Sequence, residues 1–371
     1  MPERPKLLFL IPDLGLGGSQ KVLSVLLRNL TKGKFDISLC VLIEPGVFFD
    51  SVPDEVHKIN LRISRVRYSA WGIYKVIRRT QPDLVFVFDV NHLNLFVGII
   101  SFFLSRKIKY VTREAVVLST FIDNYPKYKR FLWGLYRFSF TRFNLIICQS
   151  FYMRDDLIKN FRVPSKMIRV INNPLEVKRI LDNSKEQIST EKKAGFNIVA
   201  VGRIVYVKGF DLLIESLNLI KNLNFHLTII GEKTPENPGY KDYIISLIEK
   251  YNLDENISFV GYTINPHKHI ANSDLLVISS RTEAFSNVAI EANALGVPVV
   301  AFNSPGGMAE IIEEGVNGWL VTSGDIKSLA KTIFAVSQLK INSQEIARYT
   351  KKRYDAPFII PQYEQAITEV L

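Results

Sequence analysis

A chain of 371 residues at 47% hydrophobic is long enough for two domains with full cores, and it excludes a largely disordered protein. The net charge of +11 is unevenly placed: Lys and Arg outnumber Asp and Glu by 29 to 14 over residues 1–180 and are outnumbered 18 to 22 over residues 181–371. The N-terminal half is therefore built to face something anionic, and the C-terminal half need not be.

In chain order, Met1-Pro-Glu-Arg-Pro-Lys6 leads into Leu7-Leu-Phe-Leu-Ile11, a run too short for a signal-peptide core and expected as the first strand. Helix 18–30, strand 35–43, helix 69–80 and strand 83–88 follow, the rhythm of parallel βαβ units. The longest apolar stretch, residues 93–104, contains Asn94 and falls short of the roughly 20 residues a spanning helix needs, so no segment is expected to cross a bilayer. Cys40 and Cys148 each sit in an apolar, strand-like run, too few and too hidden for a disulfide framework, which fits a reducing cytoplasm.

After a polar stretch at 178–193 that has little to bury, the rhythm restarts: strand 197–202, helix 208–222, strand 225–230, helix 239–251, strands 257–260 and 274–278, helix 286–295, strand 297–301. The expected organisation is two Rossmann-like doubly wound domains, 1–177 and 178–355, facing an interdomain cleft. Residues 356–371 form a C-terminal helix that could cross back to the N-terminal domain. Ligands of such folds bind at the C-terminal ends of the strands.

Three segments carry chemistry. In Pro12-Asp-Leu-Gly15-Leu-Gly17-Gly18-Ser19-Gln20 the glycines let backbone amides approach an anion at a helix N-terminus, although Gln20 holds the third-glycine position of a dinucleotide fingerprint and a tight turn explains the pattern as well. In Gly202-Arg203-Ile-Val-Tyr-Val-Lys208-Gly209-Phe-Asp211, an arginine fork and a lysine point charge on a strand exit can clamp a diphosphate, or form a plain solvated loop. In Ser279-Ser-Arg-Thr-Glu283-Ala-Phe285-Ser286-Asn287-Val288-Ala-Ile-Glu291, Glu283 lies at the helix mouth. Glu291 lies about a turn and a half inside an apolar helix, where an unpaired carboxylate asks for a hydroxyl partner. The amides of Ser286, Asn287 and Val288 could bind phosphate oxygens. The bland alternative is one glutamate on the helix dipole and one in a salt bridge.

The order of these motifs resembles the GT-B fold retaining glycosyltransferases of family 4 (glycosyl transferases group 1). The matching residues are Gly17-Gly18, Asn172-Asn173-Pro174, Gly202-Arg203 with Lys208-Gly209, Ile230-Gly231-Glu232, Val260-Gly261-Tyr262, Glu283 and Glu291 with seven residues between them, Gly296-Val-Pro298, and Gly306-Gly307. The resemblance implies an acceptor-binding N-terminal domain and a C-terminal domain that binds a nucleotide sugar, UDP-linked. Arg203 and Lys208 would hold the diphosphate, Glu291 the ribose hydroxyls and Glu283 the sugar. Gly17, Gly18, Gly202, Gly231, Gly261, Tyr262, Phe285, Ser286, Asn287 and Val288 would line the donor site. It also implies retention through a front-face mechanism, in which the departing β-phosphate takes the acceptor proton.

No Asp-x-Asp element is present, and the histidines and cysteines show no metal-ligand spacing, so no metal and no cofactor are expected beyond the donor substrate. Where relatives place a histidine to touch the donor sugar, this chain reads Lys109-Tyr-Val-Thr112-Arg113-Glu114. Arg113, Glu114 or His92 could contact sugar or acceptor instead.

Between 124 and 143, Tyr128, Leu132, Leu135, Tyr136 and Phe143 share one helical face, and Lys127, Arg130 and Arg137 share another. Interleaved aromatic and basic residues suit an anionic membrane surface, although core packing with a solvated charged face would give the same pattern. The expected function is transfer of a hexose or N-acetylhexosamine to a polyprenyl-diphosphate-linked saccharide in bacterial surface-glycan assembly, with the enzyme peripheral on the cytoplasmic face of the membrane and binding no nucleic acid. A sugar-nucleotide epimerase of similar fold and a non-catalytic scaffold compete with it.

Overall fold

The computed structural model describes residues 4–15, 17–88, 92–187, 193–235 and 237–371. The chain divides into two compact units, Met1–Leu175 together with Ala356–Leu371, and Glu176–Asp355. Among the described residues no helix is long and apolar enough to cross a membrane.

The N-terminal unit runs β1 (Lys6–Ile11), α1 (Gly18–Asn29), β2 (Asp36–Val41), β3 (His57–Asn60), α2 (Ala70–Thr80), β4 (Leu84–Phe88), α3 (Leu93–Ile100), β5 (Lys109–Arg113), α4 (Leu118–Asp123), α5 (Lys129–Phe140), β6 (Leu145–Cys148), α6 (Phe151–Phe161) and β7 (Ile168–Val170). Its seven strands lie in the order β3-β2-β1-β4-β5-β6-β7, every neighbouring pair parallel. A parallel sheet is covered on both faces, so its central strands are apolar throughout. β4 (Leu-Val-Phe-Val-Phe) is buried at every position, and β1 at all but its first. α1 turns Val22, Leu23, Leu26 and Leu27 onto Phe9, Phe86 and Phe88. Each such fully buried side chain contributes about 1.5–3 kcal/mol. Both cysteines are free and buried, and burial pushes the Cys40 thiol up to about 12.

The C-terminal unit runs α7 (Val177–Ser184), β8 (Phe196–Val201), α8 (Phe210–Asn218), β9 (Phe225–Ile230), α9 (Tyr240–Tyr251), β10 (Ile257–Gly261), α10 (His267–Ala271), β11 (Leu275–Ile278), α11 (Asn287–Ala294), β12 (Val299–Asn303), α12 (Met308–Ile311), β13 (Gly318–Thr322), α13 (Ile326–Ser337) and α14 (Ser343–Tyr354). The parallel strand order is β10-β9-β8-β11-β12-β13. The chain builds outward from β8 through β9 to β10, then returns to the other side of β8 with β11. The winding therefore reverses between β8 and β11, the switch point where ligands of open α/β sheets bind.

α15 (Ala356–Val370) closes the chain and belongs to the N-terminal unit. Its Ile359, Ile360, Tyr363 and Ile367 join the core that holds Phe9 and Leu23. Glu364 accepts from the Thr31 amide at 2.6 Å and the Lys34 ammonium at 2.8 Å. Burial alone would raise the Glu364 pKa, but these partners outweigh it and hold the carboxyl below its usual range.

Three departures from the sequence reading have a clear local cause. The helix expected at 208–222 is shorter because Tyr206–Lys208 form a 3₁₀ turn closed by Gly209 in the left-handed region (φ 64°). At its other end the Leu219 and Ile220 amides drop back to i−3 carbonyls, which tightens and ends the helix. β12 starts at Val299 because Pro298 has only a carbonyl to offer the ladder, which the Leu276 amide takes at 3.0 Å. The polar stretch 178–193 begins with most of α7, which does bury Val177 and Ile180; residues 188–192 lie outside the described residues.

Candidate active site

The backbone around the switch point is packed closely enough to require glycine. A Cβ on Gly231 would stand 1.8 Å from the Gly202 carbonyl oxygen, and one on Gly306 would stand 1.8 Å from the Glu283 carbonyl oxygen. Both have positive φ (155° and 136°), so a side chain there would meet backbone and strain at once. These contacts bring the exits of β8, β9, β11 and β12 together. Gly307 donates to the Glu283 carbonyl at 3.1 Å, and Glu283 donates to the Pro305 carbonyl at 3.1 Å.

On that frame the aliphatic stem of Lys208 passes the bare Cα of Gly202, 3.5 Å from where a Cβ would stand. Its ammonium reaches Glu283 Oε2 at 2.6 Å, and the Ser280 hydroxyl donates to the same oxygen at 3.1 Å. The pair is only 26% and 12% exposed, so the charges feel each other more strongly than surface groups would. A lysine after β8 and a glutamate after β11 thus meet across the switch point. Arg203 is exposed on the loop just after β8.

Glu291 is 2% exposed within α11. Its Oε2 lies 3.1 Å from His267 Nε2 on α10, and His267 Nδ1 lies 3.4 Å from Asn183 Nδ2 on α7. One partner of the buried carboxylate is therefore an imidazole, which the sequence reading missed. Ser286 is the N-cap of α11, its hydroxyl accepting from the Ala289 amide at 3.4 Å, and Asn287 and Val288 are half-buried in the first turn. Phe285, just before that cap, is buried and edge-on to Tyr354 of α14 at 5.9 Å. At the end of β10, Gly261 is left-handed (φ 77°) and accepts from the Gly231 amide at 2.9 Å, while Tyr262 is half exposed.

Arg281, Asp211 and Tyr240 stand beside these residues and were assigned no role from sequence. The Tyr240 hydroxyl donates to Asp211 at 2.6 Å, and Arg281 pairs with Asp211 at 2.7 Å. Burial alone would raise the Asp211 pKa, but these hydrogen bonds prevail and hold it below the usual carboxylate range. Among the described residues no group of three or more His, Cys, Asp and Glu side chains could hold a metal ion.

In the N-terminal unit the glycine loop follows β1. Asp13 Oδ1 accepts from the Gly15 amide at 2.8 Å and from Gln20 Nε2 at 3.2 Å, and a Cβ on Gly17 would stand 2.0 Å from Gln20 Oε1. Gln20 thus ties the loop down where a dinucleotide fingerprint would have its third glycine. Gly18 opens α1.

Arg113 and Glu114, named from sequence as sugar or acceptor contacts, are each 1% exposed and bonded within the unit. Arg113 donates to Tyr363 of α15 at 3.0 Å and to Asn173, and lies over the Phe88 ring. Glu114 accepts from Asn94 at 2.8 Å and Thr112 at 3.3 Å. The end of β5 lies under covering helices, so these groups fasten the unit. His92, half-buried with φ 65°, stands edge-on to Phe121 at 4.7 Å and hydrogen-bonds the Tyr136 hydroxyl. Burial lowers its pKa.

The basic aromatic segment also departs from its expected faces. Tyr128, expected with the packed aromatics, is 63% exposed, and Phe131 and Phe138 are exposed with it, while Tyr136 and Phe143 are buried. Arg137 donates to the Asn160 carbonyl at 2.8 Å and lies over Trp133. Lys127 and Arg130 are exposed.

Two family models match successive parts of the chain: Glycosyltransferase Family 4 over residues 16–179, and Glycosyl transferases group 1 over residues 182–353. The chain belongs to glycosyltransferase family 4. This glycosyltransferase is 26% identical over 365 residues to the N-acetylgalactosamine-N,N'-diacetylbacillosaminyl-diphospho-undecaprenol 4-alpha-N-acetylgalactosaminyltransferase of Campylobacter jejuni, covering 94% of this chain and 96% of the relative. It is 23% identical to the amylovoran biosynthesis glycosyltransferase AmsD of Erwinia amylovora, covering 98% and 99%. Anabaena HepE, solved in complex with UDP and glucose, superimposes with a TM-score of 0.80 at 19% identity, covering 98% and 100%. That likeness gives the GT-B fold, two Rossmann-like parallel-sheet units. Family membership decides for sugar transfer over the epimerase and scaffold readings.

Proposed function

We propose that this glycosyltransferase moves a hexose or N-acetylhexosamine, with retention, from a UDP-sugar to a polyprenyl-diphosphate-linked saccharide in bacterial surface-glycan assembly. The observation that carries the reading is the Lys208–Glu283 pair at the switch point of the C-terminal sheet. A diphosphate arriving at Lys208 gives the ammonium a second anionic partner beside Glu283. Arg203 adds a fork of donors from the neighbouring loop. Together they stabilise the charge that develops on the leaving β-phosphate, which accepts the acceptor proton as the sugar bond breaks. Glu291 takes the ribose hydroxyls and Glu283 the sugar. UDP in the HepE complex and the undecaprenyl diphosphate in the Campylobacter relative's name support the choice of donor and acceptor.

The test is a panel of radiolabelled UDP-sugars offered with bacterial membrane extract, followed by assignment of the product anomer by NMR. Label entering the lipid-extractable fraction with the donor's α configuration supports the proposal. A β-linked product refutes retention. Because Arg203 and Lys208 supply the positive charge at the leaving group, EDTA is expected to leave turnover intact; loss of activity restored by Mn²⁺ would contradict this.

The N-terminal unit holds the acceptor, and the enzyme works on the cytoplasmic face of the membrane. Exposed Lys127 and Arg130 beside Tyr128 and Phe131 suit anionic headgroups, where each basic residue contributes about 1 kcal/mol. Arg137, tied to Asn160, is left out of the test. The double variant Lys127→Glu, Arg130→Glu is expected to lose roughly 30-fold or more in binding to phosphatidylglycerol vesicles while keeping its affinity for UDP. Unchanged flotation with vesicles would show that this surface does not meet the membrane.

A further inference from the structure

The segment leaving β11, residues 279–281, runs beside the turn that carries Lys208 and holds three successive carbonyls of it. Arg281 Nη1 donates to the Tyr206 carbonyl at 2.7 Å, the Arg281 amide to the Val207 carbonyl at 2.8 Å, and the Ser279 hydroxyl to the Lys208 carbonyl at 3.2 Å. A Cβ on Gly209 would stand 2.0 Å from the Ser279 carbonyl oxygen, so the two backbones touch where the turn closes. Arg281 is itself fixed from the far side. Its Nη1 and Nη2 donate to the two Asp211 oxygens at 2.9 and 2.7 Å, and its guanidinium lies 3.8 Å from the centre of the Tyr206 ring. The Tyr240 hydroxyl holds Asp211 in turn.

We propose that Arg281, locked by Asp211, is a positioning residue for Lys208: it sets where the ammonium stands relative to Glu283, and so how tightly the donor diphosphate is held. The inference rests on the reading of Lys208 as a diphosphate contact. A lysine ammonium is a point charge on a flexible stem and has no geometry of its own, so its placement must come from the backbone that carries it. Arginine suits the task because one planar fork bonds both Asp211 oxygens and a backbone carbonyl at once. A lysine at 281 would keep the charge opposite Asp211 but lose the fork. The same segment supplies Ser280, whose hydroxyl donates to the Glu283 oxygen that receives Lys208. Both members of the pair are thus referenced to one stretch of chain.

The test is calorimetry with UDP and with uridine, which has no phosphate for Lys208 to meet, on the wild type, Arg281→Lys, Lys208→Ala and the double variant. Arg281→Lys is expected to weaken UDP about tenfold, leave uridine unchanged, and add less than about twofold in the Lys208→Ala background, because residues acting through one contact are not additive. Should Arg281→Lys not fold, Asp211→Asn is expected to give the same pattern with a smaller loss. Several results would overturn the proposal: unchanged UDP affinity in Arg281→Lys, an equal fall for uridine, or a full additional loss on top of Lys208→Ala. If Lys208→Ala itself binds UDP normally, the diphosphate role of Lys208 falls and the positioning role with it. A loss in Lys208→Ala without one in Arg281→Lys removes the positioning role alone.

Discussion

Replacing Lys208 with alanine is expected to lower turnover by a factor on the order of 100 to 1,000, the usual effect of removing one donor that stabilises charge in the transition state. Arg203→Ala is expected to fall in the same range. The lysine stem lies against Gly202 and its ammonium on Glu283, so the variant loses a charge at the strand exit and leaves the sheet's core untouched. Glu283 loses its cation but keeps the Ser280 hydroxyl, and the fold should survive. Initial rates of UDP release, read beside a thermal melt, check both halves of the statement. Near-normal turnover in both variants would end the assignment of the diphosphate clamp.

The two glutamates are expected to divide the work. Glu291→Gln keeps an oxygen for His267 Nε2 but loses the negative charge that ribose hydroxyls would bond. A hydrogen bond to a charged group is worth about 1.5–3 kcal/mol, so UDP affinity should fall roughly 10- to 150-fold. Glu283→Gln should spare UDP, which lacks the transferred sugar that Glu283 would touch, and damage transfer instead. Calorimetry with UDP on both variants, with transfer assayed in parallel, separates the roles. Equal UDP affinity in the two would mean that the glutamates do not divide donor recognition in this way.

The two doubly wound units were legible in the sequence because parallel strands buried on both faces read as plain apolar runs, as in Leu7–Ile11 and Leu84–Phe88. The edge strands β3 (His57–Asn60) and β7 (Ile168–Val170) escaped notice because, short and half covered, they have no apolar run to show. Lys208 and Glu283 could be singled out because each follows a recognisable strand. That they meet at 2.6 Å could not be read, because the pairing joins segments 75 residues apart. His267 escaped for the same reason: nothing around Pro266-His267-Lys268 signals that it will face Glu291 on another helix. The partner of Arg113 was hidden in the same way, since Tyr363 lies on α15, 250 residues along the chain.

The measurement that bears most directly on the central claim is a structure of the enzyme crystallised with UDP. The β-phosphate is expected within hydrogen-bond distance of Lys208 Nζ, at the switch point between β8 and β11, with the ribose hydroxyls on the Glu291 carboxylate. UDP bound away from that strand exit, with Lys208 still held by Glu283 alone, would contradict it.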